Sequence, residues 1–310
     1  MPDIGIDVIN EAVKKDKETF VLQSEQEYKA CLSSLAEKAV TEKVRAILLS
    51  GPSAAGKTTT ANLLADVIRD LGHRAEVISL DNFYRDANDP DYPRFDNGDR
   101  NMECAEALLL PKIRECLTKI EKREDFSVPV YDFKLAKAVR EETYKAIDDG
   151  CVILEGLHAL NPLISKDLPA DAHVLKIFVS LSTNLVDEKG ERILSGKKMR
   201  FVRRLVRDNL YRGASGARTL TLWKQVLEGE SLYLYPYKPL ADVRINTFHA
   251  FELSALRPYA LDLLEEIQND EYAAIILSAV RKVSPMDISY VPDDSLIREF
   301  IPGGKYEDKY

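Results

Sequence analysis

One stretch of this chain limits what it can fold into. Residues 47–68 read ILLSGPSAAGKTTTANLLADVI: a continuous apolar run, a turn bounded by glycines, a lysine, three threonines and then a helical pattern. Within it, Gly51-Pro-Ser-Ala-Ala-Gly56-Lys57-Thr58 fits G-x-x-x-x-G-K-[ST], with the preceding strand and following helix that the motif requires. Gly51 and Gly56 let the backbone curl until the N–H groups of the loop, Ser53, Ala54 and Ala55 among them, converge on phosphate oxygens. The helix N-terminus adds its partial positive charge. Lys57 reaches the terminal phosphates, the Thr58 hydroxyl is placed to ligate Mg²⁺, and Thr59 follows on the same turn. The loop therefore predicts a site for ATP and Mg²⁺. The plain alternative is a glycine-rich turn at a helix start.

The rest of the chain carries the pattern such a loop needs. Short apolar runs at 44–50, 75–80, 151–155, 173–179 and 242–246 are mostly continuous, as in parallel strands buried on both faces. Helical stretches at 57–71, 103–122 and 199–211 separate them. This predicts an α/β chain with the three-layer P-loop NTPase fold: a mostly parallel central sheet, a helical lid and a short helical N-terminal extension. The expected boundaries are 1–43 for the extension, 44–268 for the P-loop kinase domain with a lid at about 195–220, and 269–310 for a C-terminal helix and tail packed on that domain. The Asp/Asn/Pro-rich run at 86–99 reads as a long functional loop. The tail from Ser284 is irregular in pattern and reads as partly mobile.

Groups that face the phosphates belong at the carboxyl ends of neighbouring strands. VISLD ends at Asp81 and CVILE ends at Glu155. Asp81 is placed to take a proton from a substrate hydroxyl or to help hold Mg²⁺, and Glu155 to hold Mg²⁺ through water. For each alone, the alternative is a solvated strand-end acid or a helix cap. A third piece, KKMRFVRRLVRDNLYRGASGAR (197–218), is strongly basic in a chain whose net charge is −8. At helical spacing Arg200, Arg204 and Arg207 share a face, Arg203 neighbours Arg207, and Arg212 follows before a Gly/Ser/Ala turn. Phosphoryl transfer needs positive charge around the moving oxygens and exclusion of water, and an arginine-bearing lid meets both needs. The alternative is a solvated basic helix face.

The acidic balance argues against a nucleic-acid-binding surface. Cys31, Cys104, Cys116 and Cys151 form no CxxC pair, and the four histidines are scattered, so reduced thiols fit better than a zinc site or disulfides. With no signal-peptide core and no apolar stretch of membrane-spanning length, the expected setting is cytoplasmic.

Taken in order, GPSAAGKTTT, SLDNFYRD, VPVYDF, ILEGLHALNP and RRLVRDNLYRG resemble the phosphoribulokinase/uridine kinase family of P-loop kinases, and most of all its bacterial uridine kinase-like members, over residues 44–301. The resemblance implies that Lys57 and Thr58 are the phosphate-loop residues. It makes Asp81 the catalytic base and Mg²⁺ neighbour, and it places Tyr84 in the same substrate-contacting stretch. Glu155 is then the acid of the second nucleotide motif, and Arg204, Arg207 and Arg212 are the phosphate-contacting arginines. Tyr131 and Phe133 match aromatics that contact the nucleobase. Homo-oligomers are also implied. One departure stands out: where animal uridine–cytidine kinases carry a pyrimidine-contacting histidine, three residues after the Phe of YDF, this chain has Ala136. The expectation is an ATP- and Mg²⁺-dependent kinase acting on the 5′-hydroxyl of a nucleoside such as uridine or cytidine. The alternatives are the same chemistry on a sugar phosphate, vitamin precursor or polyol, or a nucleotide-binding regulatory protein.

Overall fold

The computed structural model describes residues 3–309. The chain opens with β1 (Asp3–Gly5), α1 (Ile6–Lys15) and α2 (Lys17–Thr41); Asp16 caps α2 by accepting from the Thr19 N–H at 3.1 Å. β2 (Ala46–Ser50) leads through the glycine-bounded turn into α3 (Lys57–Asp70), and β3 (Arg74–Ser79) follows. After a long irregular stretch come α4 (Leu110–Lys122), the hairpin of β4 (Phe126–Asp132) and β5 (Lys137–Tyr144), and β6 (Gly150–Glu155). Next are α5 (Pro162–Ser165), β7 (Val174–Ser180), a small hairpin of β8 (Asn184–Val186) and β9 (Arg192–Leu194), and α6 (Gly196–Arg212). The chain continues through α7 (Gly216–Tyr233), β10 (Val243–Asn246), α8 (Glu252–Glu265) and α9 (Glu271–Lys282).

The central sheet has the order β10-β7-β2-β6-β3, and every neighbouring pair is parallel. All five residues of β2 are buried. Their alternation divides the core: Ile47 and Leu49 face α2, α3, α6 and α8, while Ala46 and Leu48 face α4 and α5. Three layers result. From β2 the chain runs out to the edge strand β3, returns to β6 on one side of β2, and crosses to β7 on its other side. The phosphate loop thus leaves the sheet at its topological switch point, where ligands bind in open α/β sheets.

The five strands lie where the apolar runs predict them. The helix expected from residue 103 begins instead at Leu110. Ala105–Ala107 form a 3₁₀ turn, and Pro111, which lacks an N–H, sits in the first turn of α4. The small sheet β1-β8-β9 has no counterpart in the sequence reading. Its strands of three residues are too short to show a period. The tail is irregular, winding through 3₁₀ turns, yet Leu296, Ile297, Phe300 and Ile301 are fully buried. The stretch from Leu296 to Ile301 is therefore packed against the core. Among the described residues no helix is long and apolar enough to cross a membrane.

Candidate active site

The loop between β2 and α3 is shaped by close contacts. Ala54 (φ 57°) and Gly56 (φ 85°) both adopt left-handed backbone, which curls the loop inward before α3 starts at Lys57. A Cβ at Gly51 would lie 2.4 Å from the Val179 carbonyl oxygen, so only glycine fits there. Lys57 Nζ rests on the Pro52 carbonyl at 3.3 Å. The three threonines then point three ways. Thr58 Oγ1 donates to Glu155 Oε1 at 3.2 Å, Thr59 Oγ1 donates to Glu299 Oε2 at 2.7 Å, and Thr60 Oγ1 lies 2.7 Å from the Tyr28 hydroxyl of α2.

The two strand-end acids converge on this loop. β3 and β6 are paired in register with Ser79 opposite Glu155, and the 3₁₀ turn Leu80–Phe83 carries Asp81 just past that pair. Glu155 is buried, and burial pushes its carboxyl up to about 7; Lys57 opposes the shift and the neighbouring Asp81 adds to it. Asp81 opens onto the cleft and is reached by solvent, but protein encloses it on its other sides. That enclosure raises its pKa, again opposed by Lys57.

The basic helix α6 packs on α8, buries Phe201, Val202, Leu205 and Val206, with the Phe201 ring against Trp223 and Tyr272, and forms one wall of the cleft. Its arginines divide by partner. Arg200 forms a two-pronged pair with Glu230 at 2.7 and 2.8 Å, both groups buried. Together they grip the tip of the loop: Arg200 donates to the Ser53 carbonyl at 2.8 Å, and Ser53 N–H donates to Glu230 at 2.8 Å. Arg203 is fully buried on Glu252 and the Thr247 carbonyl. Arg204 reaches Ser53 Oγ at 2.8 Å and leans on Asp208, which also holds the exposed Arg212. Arg207 is held by Glu299 at 2.8 Å. Helical spacing groups Arg200 with Arg204 and Arg207, but Arg200 and Arg203 support the loop from beneath, because Glu230 and Glu252 draw them inward.

On the far side of the cleft, Tyr84, Tyr131 and Phe133 form an aromatic corner with ring centroids 5.0–5.9 Å apart. Tyr131 is buried and Phe133 is exposed. Ala136 forms the turn between β4 and β5 in left-handed backbone (φ 51°), and its carbonyl accepts from Ala87 N–H at 2.9 Å.

Two residues join this cleft that sequence reasoning did not single out. Glu103, half-buried, lies against Gly229 of α7, where an added Cβ would meet its Oε2 at 2.8 Å. Enclosure raises its pKa, opposed by Arg204, while Glu230 and Asp81 add to the shift. His158 is buried behind it, close to the Glu103 backbone. The only signal was His158's place in EGLHALNP; no period or spacing marks Glu103.

Burial holds His158 at about 4 and the core residue His249 at about 3, below the ordinary 6.5. Both are neutral in the fold and take protons more readily once unfolded. Their contribution to stability is complete above pH 6.5 and is lost as the pH falls toward the folded values. Buried carboxyls such as Glu155, raised to about 7, work in the opposite direction over the same range, so the test is a difference: in urea titrations, the slope of unfolding free energy against pH between 7 and 5 is expected to be less positive in His249→Gln than in the unaltered chain. An unchanged slope in that variant would contradict the assignment.

A model of the Phosphoribulokinase / Uridine kinase family matches residues 46–254, which takes in the phosphate loop, both strand-end acids and α6. The chain belongs to the phosphoribulokinase/uridine kinase family. Membership makes it a phosphotransferase that passes a phosphoryl group from a nucleotide to a hydroxyl. Among its relatives, the uridine kinase of Borrelia duttonii is 29% identical over 203 residues, covering 65% of this chain and 86% of that protein. The chloroplastic uridine/cytidine kinase UKL1 of Arabidopsis thaliana is 26% identical over 199 residues, covering 64% of this chain and 36% of that protein. Among solved structures, phosphoribulokinase from Rhodobacter spheroides aligns with a TM-score of 0.43 and 16% identity, covering 66% of this chain and 70% of that one.

Proposed function

We propose that this family member is an ATP- and Mg²⁺-dependent kinase of a nucleoside, phosphorylating the 5′-hydroxyl of a uridine- or cytidine-like acceptor. The observation that carries the reading is the meeting of Thr58 with Glu155 at 3.2 Å at the foot of the phosphate loop, with Asp81 on the adjacent strand end. The donor set fits a divalent cation. Two carboxyls whose pKa values are raised by enclosure stand beside a threonine hydroxyl, and a cation there offsets their mutual repulsion. Thr58 would ligate Mg²⁺ directly, with Glu155 and Asp81 holding it through water. When bound, the ion supplies charge neutralisation on the phosphates.

The residues of the chain do the rest. The loop from Gly51 to Thr59 orients the triphosphate, and Lys57 offsets charge on its terminal phosphates. Asp81 accepts the proton of the acceptor hydroxyl; its raised pKa brings it nearer the working pH of a general base. Arg204 and Arg207 offset charge on the transferred group, and Arg212 lies farther out along the nucleotide. Tyr84, Tyr131 and Phe133 offer ring faces to a base, and the Glu103 carboxylate accepts from further hydroxyls of the acceptor. An acidic wall of this kind favours a neutral acceptor over a sugar phosphate. Nucleosides and ATP meet in the cytoplasm, which is where this reading places the enzyme.

The test is ADP release by the purified enzyme with ATP and Mg²⁺ against a panel of nucleosides, sugar phosphates and polyols. Acceptor-dependent release with uridine or cytidine supports the reading. Release only with a sugar phosphate or polyol replaces the acceptor, and equal release without any acceptor removes the kinase assignment. Because Phe133 is 57% exposed, Phe133→Ala should fold normally. It is expected to raise the KM for the nucleoside roughly tenfold, with the KM for ATP unchanged, since stacking on a base is worth about 1–3 kcal/mol.

A further inference from the structure

Glu299 lies in the tail, well beyond residue 254, where the family match ends. It is buried, and its two carboxylate oxygens are divided between two elements of the cleft. Oε2 accepts from Thr59 Oγ1 at 2.7 Å, on the first turn of α3. Oε1 accepts from Arg207 Nη1 at 2.8 Å, on α6. One side chain therefore fixes the distance between the phosphate-loop helix and the arginine helix.

The segment around it is locked in place. Leu296 is fully buried and packs on Gly56, where an added Cβ would lie 2.7 Å from its side chain. The Phe300 ring lies under two guanidinium groups, Arg203 at 5.1 Å and Arg207 at 5.8 Å. Lys29 of α2 pairs with Asp294 at 2.6 Å, tying the N-terminal helix to the same segment. The other cleft arginines, Arg204 and Arg212, lean on Asp208 of their own helix, and Arg204 also reaches Ser53 Oγ of the loop. Arg207 is oriented from outside that helix, by the tail.

We propose that Glu299 is a positioning residue for phosphoryl transfer: through its bridge to Thr59 it aims Arg207 at the transferred group, making the C-terminal tail a working part of the nucleotide site. This rests on the reading of Arg207 given above. A guanidinium that must meet charge only in the transition state contributes most when its orientation is fixed beforehand. Glu299 supplies that fixation without touching substrate.

The test is a double-mutant cycle on kcat with saturating ATP, Mg²⁺ and the best acceptor of the panel, using the full chain and following folding by thermal unfolding. Glu299→Gln is expected to lower kcat about tenfold and Arg207→Ala about a hundredfold, with the KM for the acceptor within twofold of wild type. The double variant is expected to be no slower than Arg207→Ala alone, because Glu299 acts only through Arg207. Glu299→Asp, which keeps the charge on the tail, is expected to lose less turnover than Glu299→Gln and serves as the tail variant if Glu299→Gln does not fold. Multiplying losses in the double variant, or a lowered melting midpoint with unchanged kcat, would overturn the proposal and leave Glu299 a structural contact. Asp81→Asn run alongside separates the two levels. If it loses turnover while the tail variants do not, only the tail proposal fails; if it keeps turnover, the underlying reading fails.

Discussion

Asp81→Asn is expected to lower kcat by about 10²–10⁴-fold while leaving ATP bound with near-normal affinity. Asparagine has the shape of aspartate, so the 3₁₀ turn after β3, with the Asp81 N–H on Ser79 Oγ at 3.3 Å, keeps its form. What the variant loses is a proton acceptor beside the phosphate loop. The enclosed carboxyl has its pKa raised, and Lys57 beside it keeps part of its charge, so it takes a proton from an alcohol more readily than an exposed aspartate would. Nucleotide affinity, measured by titration with a non-hydrolysable ATP analogue, depends mostly on the loop N–H groups and Lys57. A variant with turnover within threefold of wild type would remove Asp81 from its role. A variant that loses nucleotide binding and turnover together would make it a structural residue.

Arg200→Met is expected to cost about 3–5 kcal/mol of stability. Arg200 and Glu230 are 2% and 0% exposed, so the variant strands a carboxylate in the core with no cation to offset it. Removing both charges, in Arg200→Met with Glu230→Met, is expected to recover most of that loss, because no buried charge is then left unpaired. ATP affinity should stay reduced in the double variant, since Ser53 loses partners for both its carbonyl and its N–H. Chemical denaturation checks the first expectation and nucleotide titration the second. Recovered stability together with fully recovered ATP affinity would contradict the view that this pair holds the loop tip.

The sequence made the sheet and the phosphate loop legible because both have local signatures. Continuous apolar runs end at Ser50, Leu80 and Glu155, and the glycine pattern follows the first of them. Asp81 and Glu155 could be read as strand-end acids, and strand register then brings them to the loop. The arginines were only half legible. A helical wheel groups residues by face but cannot say which face finds a buried carboxylate, and Glu230 and Glu252 lie on other helices. Glu103 sits before α4 in a stretch with no period, so only the folded chain brings it beside Gly229. The tail's role was illegible for a related reason: Leu296 and Glu299 meet Gly56 and Thr59 across some 240 residues, a pairing that no window of sequence contains.

The most direct measurement is the crystal structure of the enzyme with a non-hydrolysable ATP analogue, Mg²⁺ and the best acceptor of the panel. The γ-phosphate is expected at Lys57, with the acceptor hydroxyl in line with it and about 2.6–3.2 Å from an Asp81 carboxylate oxygen. An acceptor seated away from Asp81, or with its hydroxyl turned from the γ-phosphate, would contradict the account.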